Sequence, residues 1–597
     1  MTGAVADVRS DAADSDEFDS SGTLGQPSIR ATIRRWAPAV VAYVACSLWL
    51  TRGVWRHPTT RWIGVHGDPQ AFMWWLEWVP HAIRHGLNPL HPTVVQYPDG
   101  INALWNTSIL LPSLLLAPLT WAFGPILSWN LLHAGAPVAS ALLAMAALAR
   151  FVDRRLPAFV GGLVYGFSPY MTLKMLVHTN LVITVLPPIM LLCFHELFVR
   201  RRRSPVVVGA ILGLAFVAQL LTGEELLLIS VIVGALTCAV LALAVRKIPD
   251  VPWRDGVRGL AVAAGIGAVV GAPFLAYQFF GPRAAACCVP GVSKYVLDAQ
   301  TLVVPSPFQF FHTAGAHEMA LRWQGLDESN AYVGVLMLAF LVVAVVALRH
   351  RRAVQVSAVV LVVLVAFSFG NEVQFAGHRT GIPGPWRVLH HLPMFGSIVV
   401  GRFMFVAYLA IGLIVAVALD TLADLPPTTR SRLLIGGTLL AVASLAPTSA
   451  RVTQDHTPAF FTDTAAMDRL LPDDAVVLAS PYFEADAMAW QAASGFRFSM
   501  IEGNVFAPGP DGTPLHNGPL IDVALRINEL GSGSPDARTT ITPEERAQYR
   551  EELTRHQVNT ILVGPTTGRA AVERFVADLT GSPGTTAGGV TVFRLDR

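Results

Sequence analysis

Long apolar runs alternate with short arginine-bearing links from residue 36 to residue 446, a pattern that predicts a polytopic α-helical membrane protein. A run of about 17–25 apolar residues can cross a bilayer as a helix, and short cytoplasmic loops collect Lys and Arg. Arg30, Arg34 and Arg35 precede the first run, and residues 200–203 ("RRRR") form the densest positive cluster. With both on the cytoplasmic side, "SPVVVGAILGLAFVAQLL" runs outward and "LLLISVIVGALTCAVLALAV" returns to Arg246 and Lys247. The same alternation, carried through "RHRR" at 349–352 and through Arg430 and Arg432, leaves everything after Ala446 outside. Residues 108–124, "SILLPSLLLAPLTWAFG", must then begin and end on the outer side. They are few and broken by Pro112 and Pro118, so they read as interfacial or re-entrant. The expectation is about eleven transmembrane helices, with the N-terminus inside and the C-terminus outside.

This threading divides the chain. Residues 1–33 are polar, acidic and Ser-rich, and read as a disordered cytoplasmic segment with no cleavable signal. Residues 34–446 form the transmembrane module, with external loops at 53–128, 281–330 and 370–398. Residues 447–597 change in composition. Short apolar runs ("AVVLAS", "NTILVGP", "VTVFRL") and a charged stretch, "TPEERAQYREELTRH", predict an extracytoplasmic α/β domain. Every long loop is external, and no GxxxxGK[ST] motif occurs, so no cytoplasmic part is left to hold a nucleotide or a nucleotide-sugar.

Composition sharpens the class. Hydrophobic residues make up 53% of the 597 and charged residues 14%, against about 25% charged in soluble domains. A net charge of +2 argues against nucleic acid as a partner. Cys46, Cys193 and Cys238 fall in apolar runs, where a small buried hydrophobe is the ordinary reading. Cys287 and Cys288 are adjacent in a loop and leave a vicinal disulfide open. No CxxC or Cys/His spacing occurs, and His378, His390 and His391 are spread without ligand spacing.

The first external loop carries "GVHGDPQAFMWWLEWVPHAIRHG". Asp68 followed by Pro69 reads as a helix N-cap with Pro at the first helical position. In the helix that follows, Gln70, Glu77, His81 and Arg84 share one face, and Trp74, Trp75 and Trp78 suit a headgroup layer. The helix is therefore expected on the outer leaflet, with a fixed carboxylate at its start.

With "GD" at 67–68, this helix, "YPDGINALWNTS", "YGFSPY" and "LPMFGSIVVGRF" in that order, the chain resembles the GT-C superfamily of membrane glycosyltransferases. The likeness is nearest to uncharacterised bacterial glycosyltransferase-like membrane proteins and covers about residues 34–445. The resemblance implies a polyprenyl-phosphate sugar as donor, taken from the lipid bilayer, and a cell-envelope acceptor outside. It implies Asp68 as the catalytic carboxylate, with inversion at the anomeric carbon. Many relatives carry a second acid beside the first; here Pro69 and Gln70 follow Asp68. A divalent cation (Mg or Mn) at Asp68 and Glu224 is thus only one option, and no other cofactor is implied.

Further polar groups fall at outer membrane edges. Glu224 and Glu225 sit in the hairpin "TGEE", either as a solvated tip or as groups for an acceptor hydroxyl. Lys174 and His178 lie in "LKMLVHTN" and, with Arg402, would make a cationic cluster for a lipid phosphate. The ordinary reading of Lys174 is snorkelling towards headgroups. Glu77 and His81 are candidate substrate contacts on the amphipathic helix. The loop 281–330 ends in Asp327 and Glu328, to which no role is assigned. "GNVFAPGPDGTPLHNGP" reads as an extended segment reaching over the site. Two other classes fit the same chain: a transporter or flippase for a lipid-linked glycan, and a non-catalytic envelope assembly factor. The former predicts internal repeats and mid-membrane charges, and neither stands out in the sequence.

Overall fold

The computed structural model describes residues 29–244, 253–286, 289, 292–323, 328, 331–392, 394–482, 484–535 and 537–595. The N-terminal segment before residue 29, Arg246, Lys247, Cys287, Cys288 and Asp327 lie outside the described residues.

Apolar helices dominate up to Ala443. Five of the described helices are long and apolar enough to cross a membrane: Pro125–Leu148, Thr179–Arg200, Glu224–Leu243, Trp253–Phe280 and Val400–Ala423. Four shorter apolar helices accompany them, Leu110–Phe123, Pro205–Leu220, Val335–Ala347 and Arg352–Ser368. We label the N-terminal helices α1 (Ile29–Leu50), α2 (Asp68–Arg84), α3 (Leu110–Phe123) and α4 (Pro125–Leu148). The 14 residues of α3 extend about 21 Å at 1.5 Å per residue, short of the roughly 30 Å hydrocarbon core.

Burial ranks the helices. In Val400–Ala423, 94% of the apolar window is buried inside the protein, against 22% for Glu224–Leu243 and 17% for Trp253–Phe280. The first is the axis of the bundle; the other two present Val231, Leu241, Val269 and Phe280 outward. Small residues set the close packing around the axis. A Cβ on Gly161 would stand 2.6 Å from the Gly412 carbonyl oxygen, and one on Gly412 would stand 2.6 Å from that of Gly161. Only hydrogen on both sides lets these backbones approach so closely.

Beyond Ala446 the chain forms a five-stranded mixed sheet, ordered Thr585–Ala587, Val590–Arg594, Thr560–Val563, Val476–Ser480, Ser499–Met500. Val476–Ser480 runs parallel to both of its neighbours. Side chains of successive strand residues point to opposite faces. Val476 and Leu478 accordingly pack with the helices Asp522–Gly531, Pro543–Arg555 and Arg569–Thr580. Val477 and Ala479 face the other way, into a core shared with α2. A second tie is the pairing of Arg61–Ile63 with Val452–Gln454.

This shared core changes the picture of α2. A position on the outer leaflet, with tryptophans at headgroup level, was expected. Instead Trp74, Trp75 and Trp78 are buried. Trp74 Nε1 donates to Gln491 Oε1 at 2.7 Å, and Phe496 packs on both Trp74 and Trp78. The three indoles that suggested a membrane interface serve a protein core, because the helix Asp486–Ala493 and Phe496 just after it cover the face a lipid would otherwise meet. The helix cap also differs: Gly67, with φ of 109°, is the N-cap, and Asp68 is already the first helical residue. At that position an acid meets the positive end of the helix dipole rather than closing a capping hydrogen bond.

Candidate functional site

Four separate segments converge near the start of α2. Ser168 caps the short helix Pro169–Lys174, its Oγ accepting from Met171 N–H, which places Lys174 in the last turn. His178 precedes the one-turn helix Thr179–Val182. Glu224 and Glu225 open the helix Glu224–Ala244, where acids complement the helix dipole. Arg402 lies in the 3₁₀ turn Val400–Phe403 that leads into the buried axis helix.

Glu328 joins them. Its Oε2 lies 2.5 Å from Lys174 Nζ, and its Oε1 lies 2.5 Å from Arg402 Nη2. Arg402 Nε also donates to Glu328 Oε2 at 3.2 Å, which makes the pair a two-pronged one. The remaining Arg402 amine pairs with Glu225 Oε2, and Val399 N–H donates to Glu225 Oε1 at 2.8 Å. The Lys174 and Glu328 side chains are only 3% and 6% exposed. Burial alone would raise the Glu328 carboxyl; the charges of Arg402, Lys174 and His178 outweigh it and hold the group well below the usual carboxylate range.

Asp68 forms the outer end of this chain of charges. Its Oδ2 lies 3.1 Å from His178 Nε2, and its Oδ1 accepts from Asn504 Nδ2 at 3.1 Å. Burial works to raise its pKa, but the hydrogen bond and charge of His178, the Asn504 amide and the nearby His516 bring it down to about 2. The Asp68 side chain remains 45% exposed, so the ionised carboxylate faces open space. Behind it, His178 Nδ1 and the Tyr170 hydroxyl are buried with no hydrogen-bond partner among the described residues.

The structure thus brings together Asp68, His178, Lys174, Arg402 and Glu225. The cationic cluster differs from expectation in one respect: Arg402 and Lys174 are already engaged by carboxylates. Glu224 is half-buried, and its carboxylate is hydrogen-bonded by its own backbone N–H. Glu77 and His81 stand apart, since nine and thirteen helical residues put them about 13 and 20 Å along α2 from Asp68. His81 instead stacks on His85 and Phe496, at centroid distances of 4.1 and 4.5 Å. Among the described residues no three His, Cys, Asp or Glu side chains form a set that would hold a metal ion. No step of the proposed chemistry runs through a cation.

Sequence reasoning passed over Glu328, Asn504 and His516. For Glu328 the available signal was an acidic pair closing a long loop just before an apolar run. Asn504 and His516 lie in the Gly- and Pro-rich segment 503–519, whose pattern marks a loop but not the side chains that reach Asp68.

Glu77 supplies a pH signature outside the site. Burial raises its carboxyl to about 7, and its Oε2 has no hydrogen-bond partner among the described residues. An unfolded Glu titrates near about 4.3, so the folded state holds the proton more tightly between these values. The associated stability is fully present below the unfolded value and is lost as pH rises through about 7. Glu77→Gln is expected to remove this slope and to raise the apparent unfolding midpoint at pH 8 but not at pH 4. Parallel pH profiles for the two proteins would rule it out.

The fold of this chain is similar to the folds of solved sugar transferases. The chain superposes on the arabinofuranosyltransferase AftD from Mycobacteria with a TM-score of 0.60 at 16% identity, covering 95% of this chain and 40% of that one. It superposes on the oligosaccharyltransferase AglB from Archaeoglobus fulgidus, solved with an inhibitory peptide and a dolichol-phosphate, with a TM-score of 0.50 at 12% identity, covering 91% and 71%. A further structure of that enzyme, tethered to an acceptor peptide, gives 0.51 at 12% identity, covering 94% and 74%. The chain thus spans less than half the length of AftD. No protein of curated function matches the sequence. By sequence the chain belongs to the family described as "Domain of unknown function (DUF6311)", which matches residues 39–443.

Proposed function

We propose that the chain is a membrane glycosyltransferase that moves a sugar from a polyprenyl-phosphate donor to an extracytoplasmic cell-envelope acceptor, with inversion at the anomeric carbon. In this reading the N-terminus is cytoplasmic, and the site and the region after Ala446 face outward. The observation that carries it is the pairing of a half-exposed ionised carboxylate, Asp68, with a buried Lys174–Arg402 pair held by Glu328 and Glu225. Two solved proteins of this fold are an arabinofuranosyltransferase and an oligosaccharyltransferase, the latter in complex with a dolichol-phosphate.

The chemistry follows from the leaving group. The donor phosphate departs carrying its charge, so catalysis needs cations to stabilise it and an acceptor for the nucleophile's proton. Asp68 accepts the hydroxyl proton as the C–O bond to the acceptor forms and the bond to phosphate breaks. Arg402, Lys174 and His178 Nδ1, which lies 4.0 Å from Glu328 Oε1, are the groups available to the phosphate, which competes with Glu328 for all three. A carboxylate near pKa 2 is a weak base, so proton transfer comes late, after most of the bond to phosphate has broken. The low value also favours a second arrangement, in which His178 takes the proton and Asp68 orients its ring. His178→Gln distinguishes the two, leaving a residual base only if Asp68 is that base.

The direct test is a proteoliposome assay with radiolabelled polyprenyl-phosphate sugars and a cell-envelope extract as acceptor. Transfer of label is expected, with Arg402→Ala raising the donor KM more than Arg402→Lys, which keeps charge but loses the planar fork. Folded protein that transfers no label from any donor in the panel, yet moves a labelled lipid-linked glycan across the bilayer, would make it a flippase.

A further inference from the structure

A cavity of about 170 Å³ lies on the far side of α2 from Asp68. Gln70 lines it, and two residues correspond to about 200° around a helix, so Asp68 points away from it. Trp62 and Trp74 line it, and so does Phe123 at the C-terminal end of α3. Thr59, Asp455 and Thr457 form a polar rim. No part of the charged cluster borders it.

The character of the lining points to one kind of occupant. Both indole N–H groups are already engaged, that of Trp62 by the Val65 carbonyl at 3.1 Å and that of Trp74 by Gln491. What the indoles offer the cavity is therefore apolar ring surface. The rim is the reverse. Asp455 Oδ1 accepts from Thr457 N–H at 2.9 Å, while the hydroxyls of Thr59 and Thr457 make no hydrogen bond among the described residues. A sugar ring has one face of C–H groups and a periphery of hydroxyls, and this cavity matches both. An alkyl chain would cover the rim groups without pairing them, at the cost of desolvating polar atoms. A void of roughly 150 Å³ admits a benzene ring, so there is room for one sugar ring but not for an extended oligosaccharide.

We propose that this cavity is a remote subsite that grips one sugar ring of a glycan acceptor while another part of the same glycan reaches Asp68. The proposal rests on the transferase reading above and adds the acceptor's chemical class. It is tested by calorimetric titration of the full chain in detergent with arabino-, manno-, galacto- and gluco-oligosaccharides. At least one is expected to bind saturably. Asp455→Ala is expected to weaken that binding at least tenfold. So is Ala493→Trp, at an exposed position on the cavity wall where a larger side chain blocks the mouth without entering the core. The proposal is overturned if no oligosaccharide binds, if both variants bind as wild type does, or if a fluorescent alkyl chain occupies the cavity and is lost in Ala493→Trp. Transfer of sugar without this binding defeats the subsite alone; this binding without transfer defeats the transferase reading alone.

Discussion

Asp68→Asn is expected to lower turnover by roughly 10²–10⁴ while the protein folds and inserts normally. Asn nearly matches Asp in shape and keeps one oxygen for the Asn504 amide, but it cannot take a proton. The cap at this helix is Gly67, so no capping bond is lost. The small structural cost is the ion pair to His178, and a side chain 45% exposed contributes little through such a pair. The linkage has a definite sign. A carboxylate depressed to about 2 in the folded protein adds stability above its unfolded pKa and loses it as pH falls through the folded value. At neutral pH the variant should therefore unfold only slightly earlier than wild type. The measurement is transfer rate at saturating donor, with unfolding midpoints matched beforehand. Near-normal turnover in a folded Asp68→Asn protein would remove Asp68 from the chemistry and turn attention to His178.

Much of the bundle was readable because membrane spans are written in long apolar runs, and arginine clusters punctuate them. The axis helix Val400–Ala423 and the outward-facing Glu224–Leu243 differ mainly in what surrounds them, and hydropathy alone does not separate these environments. Asp68, Lys174, His178, Glu225 and Arg402 were legible because charged groups at the edge of apolar runs are costly without a purpose. Glu328 was not, since its partners lie 154 and 74 residues away in the chain, and nothing local marks a residue that long-range packing brings to them. The tryptophans of α2 misled for a related reason. An amphipathic aromatic helix suits either a headgroup layer or a protein core, and only the helix Asp486–Ala493 that packs on it, about 400 residues later, decides between them.

The buried ion cluster supports the second large effect. Glu328→Ala removes the shared partner of the buried Lys174 and the half-buried Arg402, leaving Lys174 without this pair and Arg402 with its pair to Glu225. Truncating one partner of a buried pair typically costs about 3–5 kcal/mol, because the other charge stays desolvated and uncompensated. Arg402 and Lys174 then carry exposed binding potential for any anion of suitable shape, and a phosphate is the anion the proposed donor brings. The expected result is twofold. The unfolding midpoint of Glu328→Ala in detergent drops far below that of wild type, and added polyprenyl phosphate restores more of it than the same addition gives wild type, since a ligand that binds only the folded state stabilises it by mass action. Glu328→Gln, which keeps shape and hydrogen bonding but not charge, should fall between them and show a lower donor KM than wild type. Equal midpoints for all three proteins would mean that the cluster contributes nothing to the fold. A large drop that polyprenyl phosphate does not reverse would leave Arg402 and Lys174 as structural charges, and the donor phosphate would have to be held elsewhere, with His178 the nearest remaining candidate.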